Sequence, residues 1–218
     1  MLAESLIAGV LAACLALFCF VNVYNLAKSR AYRGRTAYST TAERPGGFVF
    51  ALTAFGTLFF FLESVLHVVL VLTGLEGILS YSLFQLHFPY DSQAQIMGLL
   101  MTVLGYALFV WSVLARGRYA TSWDMPENHK LVTWGPYSYV RHPSYLAYII
   151  LFVALFLTTL NAIATIPLVA IPGYIRIADR EEEMLTAAFG KAYMEYQRTT
   201  GKFIPKRKHE RGVSPTEA

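Results

Sequence analysis

Residues 129–148 read HKLVTWGPYSYVRHPSYLAY and set His129, Lys130, Arg141 and His142, with two prolines, directly in front of an apolar run. Pro143 suits the first turn of a helix, where the early amides have no intrahelical partner, so Arg141 and His142 fall on that helix's lip. The TWGPY stretch, residues 133–137, supplies a turn with exposed backbone and two aromatic rings, and Tyr145 and Tyr148 continue the aromatic lining one turn further in. A plain membrane border also collects Arg, Tyr and Trp. Two prolines, a glycine, a histidine and an arginine at this density exceed what anchoring requires and point to a binding site.

A second cluster lies about forty residues on. In RIADREEEMLTAAFGKAYMEY, residues 176–196, three adjacent carboxylates, Glu181, Glu182 and Glu183, open an amphipathic pattern. Acidic groups favour the start of a helix through its dipole. Successive helical residues turn by about 100°, however, so three in a row cannot share one solvent face, and at least one is expected to point into the bundle. Glu63 and His67 stand four apart within another apolar run. Ionisable groups at such depth tend to face the bundle interior and pair; a structural pair and a grip on an acceptor's polar head are both open readings. Cys14 and Cys19 point to different helix faces and suggest neither a disulfide nor a metal site.

These residues must be positioned by membrane helices. The 218 residues are 56% hydrophobic and 15% charged, with a mean hydropathy of +0.45, too apolar for an ordinary soluble domain of this size. Every lysine and arginine falls in one of three blocks, Lys28 to Arg44, Arg116 to Arg141 and Arg176 onward. By the positive-inside rule these blocks are cytoplasmic, with the N-terminus outside and the candidate site and C-terminus inside. Spans are expected over Leu2–Ala27, Phe48–Thr73 and Ile96–Ala115, each able to cross a hydrocarbon core of about 30 Å. The first has Glu4 where a cleavable leader would carry a basic residue, and is read as a retained span. Residues 75–88 are expected as an outer interfacial helix.

Residues 145–175 suffice for two short antiparallel helices turning near Asn161. From Ile177 the apolar period changes to an amphipathic helix with a soft point at Gly190. The expected fold is therefore all-α: a polytopic bundle of about five transmembrane helices plus a C-terminal cytoplasmic amphipathic helix. It forms one domain over 1–205, with the chemistry in 116–205, followed by a basic tail, 206–218, expected to be disordered and to touch anionic lipid.

The order and spacing of His129-Lys130-Leu131-Val132-Thr133, Gly135, Tyr137 and Arg141-His142-Pro143-Ser144-Tyr145, followed by Glu181-Glu182, Leu185, Phe189-Gly190, Tyr193 and Tyr196, resembles the isoprenylcysteine carboxyl methyltransferase family of integral membrane enzymes. The resemblance covers roughly the C-terminal half. It implies S-adenosyl-L-methionine as methyl donor, held on the cytoplasmic side by His129, Lys130, Leu131, Val132, Gly135, Tyr137, His142, Pro143, Ser144, Tyr145, Glu181 and Glu182. The residue types agree: aromatic faces stabilise a sulfonium, a carboxylate holds an ammonium or ribose hydroxyls, and backbone amides meet an adenine edge. Neither a metal nor a nucleic acid is implied.

The family's eukaryotic members carry an arginine for the acceptor carboxylate one helical turn before the first glutamate, where this chain has Ile177. Arg176 and Arg180 flank that position; Arg141 and Arg176 are the candidates to orient an acceptor. The implied acceptor is lipophilic and enters from the bilayer, with an isoprenylcysteine-like carboxylate as the leading expectation. Phospholipid N-methylation and small-thiol S-methylation remain alternatives. An NADPH-dependent sterol-reductase-like activity and a non-enzymatic membrane protein stand further off.

Overall fold

The computed structural model describes residues 1–33, 38–41, 47–75, 77, 84–119, 124–126 and 130–206. Among the described residues six α-helices carry the architecture: α1 Glu4–Arg33, α2 Phe48–Leu72, α3 Asp91–Arg116, α4 Pro143–Thr159, α5 Ile171–Phe189 and α6 Lys191–Thr199. A short antiparallel ribbon, β1 Tyr38–Thr41 with β2 Asp124–Pro126, ties together the two connections at one end of the bundle. Its four and three residues carry no alternating apolar pattern long enough to announce strands. Among the described residues the fold is otherwise helical, as expected.

Four segments are long and apolar enough to cross a membrane, Glu4–Lys28, Phe48–Leu72, Asp91–Arg116 and Ala162–Phe189, and the shorter apolar helix α4 stands beside them. The outer faces of these helices carry Phe20, Phe55, Leu58, Leu62, Leu66, Leu100 and Leu104, all exposed, as lipid-facing surfaces require. The core is aromatic and aliphatic, with Phe60, Tyr106, Leu151, Phe152 and Leu155 buried around Tyr174. Between apolar helices in lipid, close packing and buried hydrogen bonds replace the usual hydrophobic drive. Gly98 of α3 shows this: a Cβ there would come within 2.5 Å of the Thr158 amide nitrogen of α4. Next to it Gln95 donates to the Thr158 carbonyl at 3.1 Å and accepts from the Leu2 amide at 2.6 Å, closing one end of the bundle.

The hairpin near Asn161 is present in modified form. Leu160 caps α4 in the left-handed region at φ 50°, and Asn161 accepts from the Ile163 amide at 2.9 Å. The return limb then begins as a nine-residue 3-10 stretch, Ala162–Ala170, which contains Pro167. Proline removes an amide donor and disfavours α geometry before it, so the tighter winding is accommodated here. The limb runs on without a break into α5, so the expected fifth span and the start of the amphipathic helix are one helix, interrupted first at Gly190, φ 52°.

Two expectations are corrected. The interfacial helix over 75–88 falls largely outside the described residues, and its end is not helical. There Leu86 donates to the Leu160 carbonyl and Ala162 to the Phe84 carbonyl, both at 2.8 Å, a pairing in which the hairpin turn supplies the backbone partners. Glu63 and His67 do not form the expected isolated pair: His67 Nε2 lies 3.4 Å from Glu4 of α1, while Glu63 Oε2 is buried without a hydrogen-bond partner. Both lie about 23–29 Å along α2 from its Phe48 end, far from the site below. The tail from residue 207 lies outside the described residues.

Candidate active site

The start of α4 meets the middle of α5 at one end of the bundle. Pro143 occupies the first turn of α4, and the cap residue His142 makes no side-chain cap, leaving its imidazole available. The preceding 3-10 turn, Gly135–Ser138, is folded back against α3: Trp134 Nε1 donates to the Ala115 carbonyl at 3.0 Å, and Gly135 adopts φ 62° with Ala115 against it. A side chain at that glycine would be strained twice, by its backbone angle and by its neighbour. Tyr137 is thereby buried, and its carbonyl accepts from the Tyr196 hydroxyl of α6.

The chain after α6 returns alongside this turn as a strap. Arg141 donates its amide to the Gly201 carbonyl at 2.8 Å and His142 to the Lys202 carbonyl at 3.2 Å.

Glu182 organises the junction. Arg141 donates from Nε at 2.9 Å and from Nη2 at 3.1 Å, His142 Nε2 lies at 3.0 Å, and Gln197 Nε2 donates at 3.0 Å. The remaining Arg141 nitrogen, Nη1, donates to the carbonyls of Thr200 and Gln197, so this guanidinium is fully engaged. Glu181 faces the other side of the imidazole, 3.5 Å from His142 Nδ1, and accepts from the Tyr145 hydroxyl. The His142 and Tyr145 rings stack with centroids 5.7 Å apart and planes 6° from parallel.

Burial opposes a charge on His142, but the hydrogen bonds and charges of Glu181 and Glu182 outweigh it and hold its pKa above the ordinary 6.5. The stabilising contribution of this cation is therefore complete below about pH 6.5 and is lost as pH rises through the raised value. Thermal unfolding in detergent should show melting temperature falling over that window, and His142→Gln should flatten the dependence; an unchanged slope in the variant would assign it to other groups.

Around these contacts lies a cavity of about 770 Å³, counting the open solvent at its mouth. Leu131, Val132, Tyr137, Arg141, His142, Ser144, Tyr145 and Glu181 all line it. Gly135, Pro143 and Glu182 stand behind its wall, shaping it rather than lining it. Lys130 is exposed and outside the lining, and His129 lies outside the described residues. Arg176 is not at this cavity; it is exposed beside a second depression, with Val49, Phe50 and Asp179.

Three lining residues carried no distinguishing signal in sequence: Arg116 at the end of α3, Tyr119 and Met184. An arginine at the inner end of a span is an ordinary border residue by composition alone. The donor set suits S-adenosylmethionine: a carboxylate, Glu181, lines the same half-open cavity as the aromatic side chains of Tyr137 and Tyr145. Among the described residues no group of three or more His, Cys, Asp or Glu is arranged to hold a metal.

The family model described as phospholipid methyltransferase matches residues 94–192, from the beginning of α3 into α6. A protein-S-isoprenylcysteine O-methyltransferase of Tribolium castaneum is 30% identical over 115 residues, 50% of this chain and 41% of the relative. Protein-S-isoprenylcysteine O-methyltransferase B of Arabidopsis thaliana is 34% identical over 114 residues, 50% of this chain and 57% of the relative. A Dictyostelium discoideum protein of the same name is 32% identical over 81 residues, covering 36% of this chain and 34% of that one. The matched part thus spans about half the length, or less, of these curated relatives. The segment matched by the family model carries most of the cavity's lining, with Tyr193 and Tyr196 just beyond it, so the part of the chain that builds the site is similar to phospholipid methyltransferases and to protein-S-isoprenylcysteine O-methyltransferases.

Proposed function

We propose that the protein transfers a methyl group from S-adenosylmethionine to the carboxylate of a lipophilic, isoprenylcysteine-like acceptor, and that the end of the bundle carrying Arg116, Arg141 and Glu181 faces the cytoplasm. The observation that carries this reading is the cavity in which His142 and Glu181 approach to 3.5 Å and which Tyr137 and Tyr145 also line. When bound, S-adenosylmethionine would supply a methyl group on a sulfonium, whose C–S bond breaks with the electron pair staying on sulfur as a carboxylate C–O bond forms.

The chain's residues have three tasks in that reaction. Glu181 and the backbone beside Leu131 and Val132 hold polar groups of the donor, and the tyrosine faces sit against a positive centre without competing for its methyl. The wall made by Arg141, Glu182 and the 200–203 strap excludes water and fixes geometry. No residue has to remove a proton, because an α-carboxyl group with a reference pKa of about 3.5 is already ionised.

That last point separates the acceptors. An ammonium acceptor must lose a proton before attack, and both carboxylates at the site are engaged, Glu181 by Tyr145 and His142, Glu182 by Arg141, His142 and Gln197. The site favours an acceptor that arrives ionised. Thin-layer assay with methyl-labelled donor and, separately, a prenylcysteine analogue, phosphatidylethanolamine and a simple thiol should label the prenylcysteine analogue at least tenfold faster than either competitor. Preferential labelling of the phospholipid would reverse the assignment.

A further inference from the structure

α5 carries two stripes that face different ways. Glu181, Met184 and Leu185 line the candidate active-site cavity, whereas Arg176, Asp179, Arg180 and Glu183 recur every three to four residues on another side of the helix. That second stripe borders a depression of about 870 Å³, counting the open solvent at its mouth, which Val49 and Phe50 of α2 and Ile177 also line. The two hollows share no lining residue. The depression lies at the end of a tight seam between α2 and α5. A Cβ at Gly173 would overlap the Thr53 hydroxyl, and the Thr57 and Tyr174 hydroxyls meet at 2.9 Å. Arg176 follows Gly173 by three residues and Val49 precedes Thr53 by four, so the depression opens about one turn beyond that contact.

The charges around this hollow do not cancel. Asp179 pairs with Lys202, and Arg180 donates from Nη1 to Glu183 at 3.0 Å, so each carboxylate already has its cation. Arg176 is exposed and has neither an ion pair nor a hydrogen bond among the described residues. Three cations, Arg176, Arg180 and Lys202, against two carboxylates leave a net charge of +1. Arg176 and Arg180 stand four apart and share a face of the helix. α2 starts at the same place without a side-chain cap and without an acidic residue in its first turn, which adds positive potential. An anion complements such a surface, and a guanidinium matches the oxygens of a phosphate with two parallel hydrogen bonds.

The apolar part of the lining decides which anion. From Phe48 onward α2 is long and apolar enough to cross a membrane, and α5 lies in the segment Ala162–Phe189 that can do the same. Phe48, Phe50 and Ile175 are exposed at this end, by 79%, 42% and 42%. A soluble anion gains nothing from them or from Val49 and Ile177, whereas an amphiphile with a charged head at the membrane border uses both parts of the surface. We propose that the depression between the start of α2 and the Arg176 stripe of α5 binds an anionic phospholipid. Its phosphodiester sits on Arg176 with Arg180 beside it, and its glycerol and first acyl carbons lie against Val49, Phe50 and Ile177. A lipid held there bridges α2 and α5 one turn before Glu181 and steadies the helix that carries it. This site stands apart from the methyl-transfer reading and does not require it.

The test follows the melting temperature of the full chain in a non-ionic detergent as dioctanoyl-phosphatidylglycerol or dioctanoyl-phosphatidylcholine is added. The two lipids share the phosphodiester and the chains and differ in net charge. Wild type should reach half of its full shift at a phosphatidylglycerol concentration about fivefold below that of phosphatidylcholine, the weight of one basic residue at an anionic lipid surface. Arg176→Gln should melt like wild type without lipid, because the side chain is exposed, and should lose the preference. Lys191→Gln removes one charge from an exposed position on α6 outside the depression and should keep it. Phe50→Ala should raise the half-saturating concentration of both lipids. Inorganic phosphate at matched ionic strength should give no shift that depends on Arg176.

Equal half-saturation by the two lipids in wild type, or tighter binding of phosphatidylcholine, would overturn the proposal whatever the variants do. So would a preference undiminished in Arg176→Gln, which would place the anionic lipid on other basic residues, or one lost equally in Lys191→Gln, which would make it an effect of total charge. An Arg176-dependent shift of the same size with inorganic phosphate would make the depression a site for a free anion and would overturn the lipid assignment.

Discussion

Glu182→Ala should disable the protein by taking apart the junction between α4, α5 and the strap. The carboxylate it removes accepts from Arg141, His142 and Gln197, and both cations are largely withdrawn from water, with side-chain exposures of 10% and 5%. Deleting one partner of a buried ionic cluster leaves charges that are neither hydrated nor paired, a loss of about 3–5 kcal/mol. Expected results are a melting temperature lower by more than about 6 °C, at about 2 °C or more per kcal/mol for a chain of this size, and proteolysis beginning after α6. Glu182→Gln keeps the acceptor oxygen and the shape, so it should fall between. Glu183→Ala is the internal control: Glu183 is exposed and pairs with Arg180 on the surface, where such contacts contribute little.

Glu181→Gln should act on ligand binding rather than on folding. Its carboxamide oxygen still accepts from the Tyr145 hydroxyl, and the Glu182 cluster is untouched. What is lost is a negative charge at the cavity wall, where an ammonium or ribose hydroxyls of the donor would be held. Charge-assisted hydrogen bonds are roughly twice as strong as neutral ones, so affinity for S-adenosylmethionine should drop by about 10–100-fold while the melting temperature of the unliganded protein changes little. Unaltered affinity would take Glu181 out of the binding site.

The opposite effects expected of neighbouring glutamates follow from helix geometry that the sequence only partly displays. Three adjacent carboxylates cannot share a face, and at least one is expected to turn inward; in the structure Glu181 and Glu182 both do, while Glu183 is exposed. The buried stripe of α5, Gly173, Tyr174, Ile177 and Ala178, continues at a period of three to four residues into Glu181. That same stripe explains why Arg176 and Arg180 face away: they sit one residue before Ile177 and three after it, on the exposed side. An i, i+4 pair tells which residues share a face but not which way that face looks, so Arg176 was a reasonable candidate by spacing and is misplaced for this cavity by rotation.

The meeting of the 129–148 stretch with the acidic start of residues 181–183 was legible because its residue types are expensive at a membrane border and have few other uses. Arg116 is not, since an arginine closing a span is an ordinary border residue by composition and its place in the cavity lining has no local signature. Strand pairing of Tyr38–Thr41 with Asp124–Pro126 was hidden for a similar reason, as its partners are more than eighty residues apart and too short for periodicity. The hairpin at Asn161 was visible in the polar break it makes in an apolar run, whereas the 3-10 winding of the following limb depends on how Pro167 is accommodated against α2.

Isothermal titration of S-adenosylmethionine into the detergent-purified, full-length chain, run in parallel on wild type and Glu181→Gln, bears most directly on whether the junction of α4 and α5 is a methyl-donor site. Saturable one-to-one binding by wild type, weakened at least tenfold in a variant that melts normally, is the result expected. A folded wild-type protein that takes up no S-adenosylmethionine, or a variant that binds it as tightly as wild type does, would contradict the account.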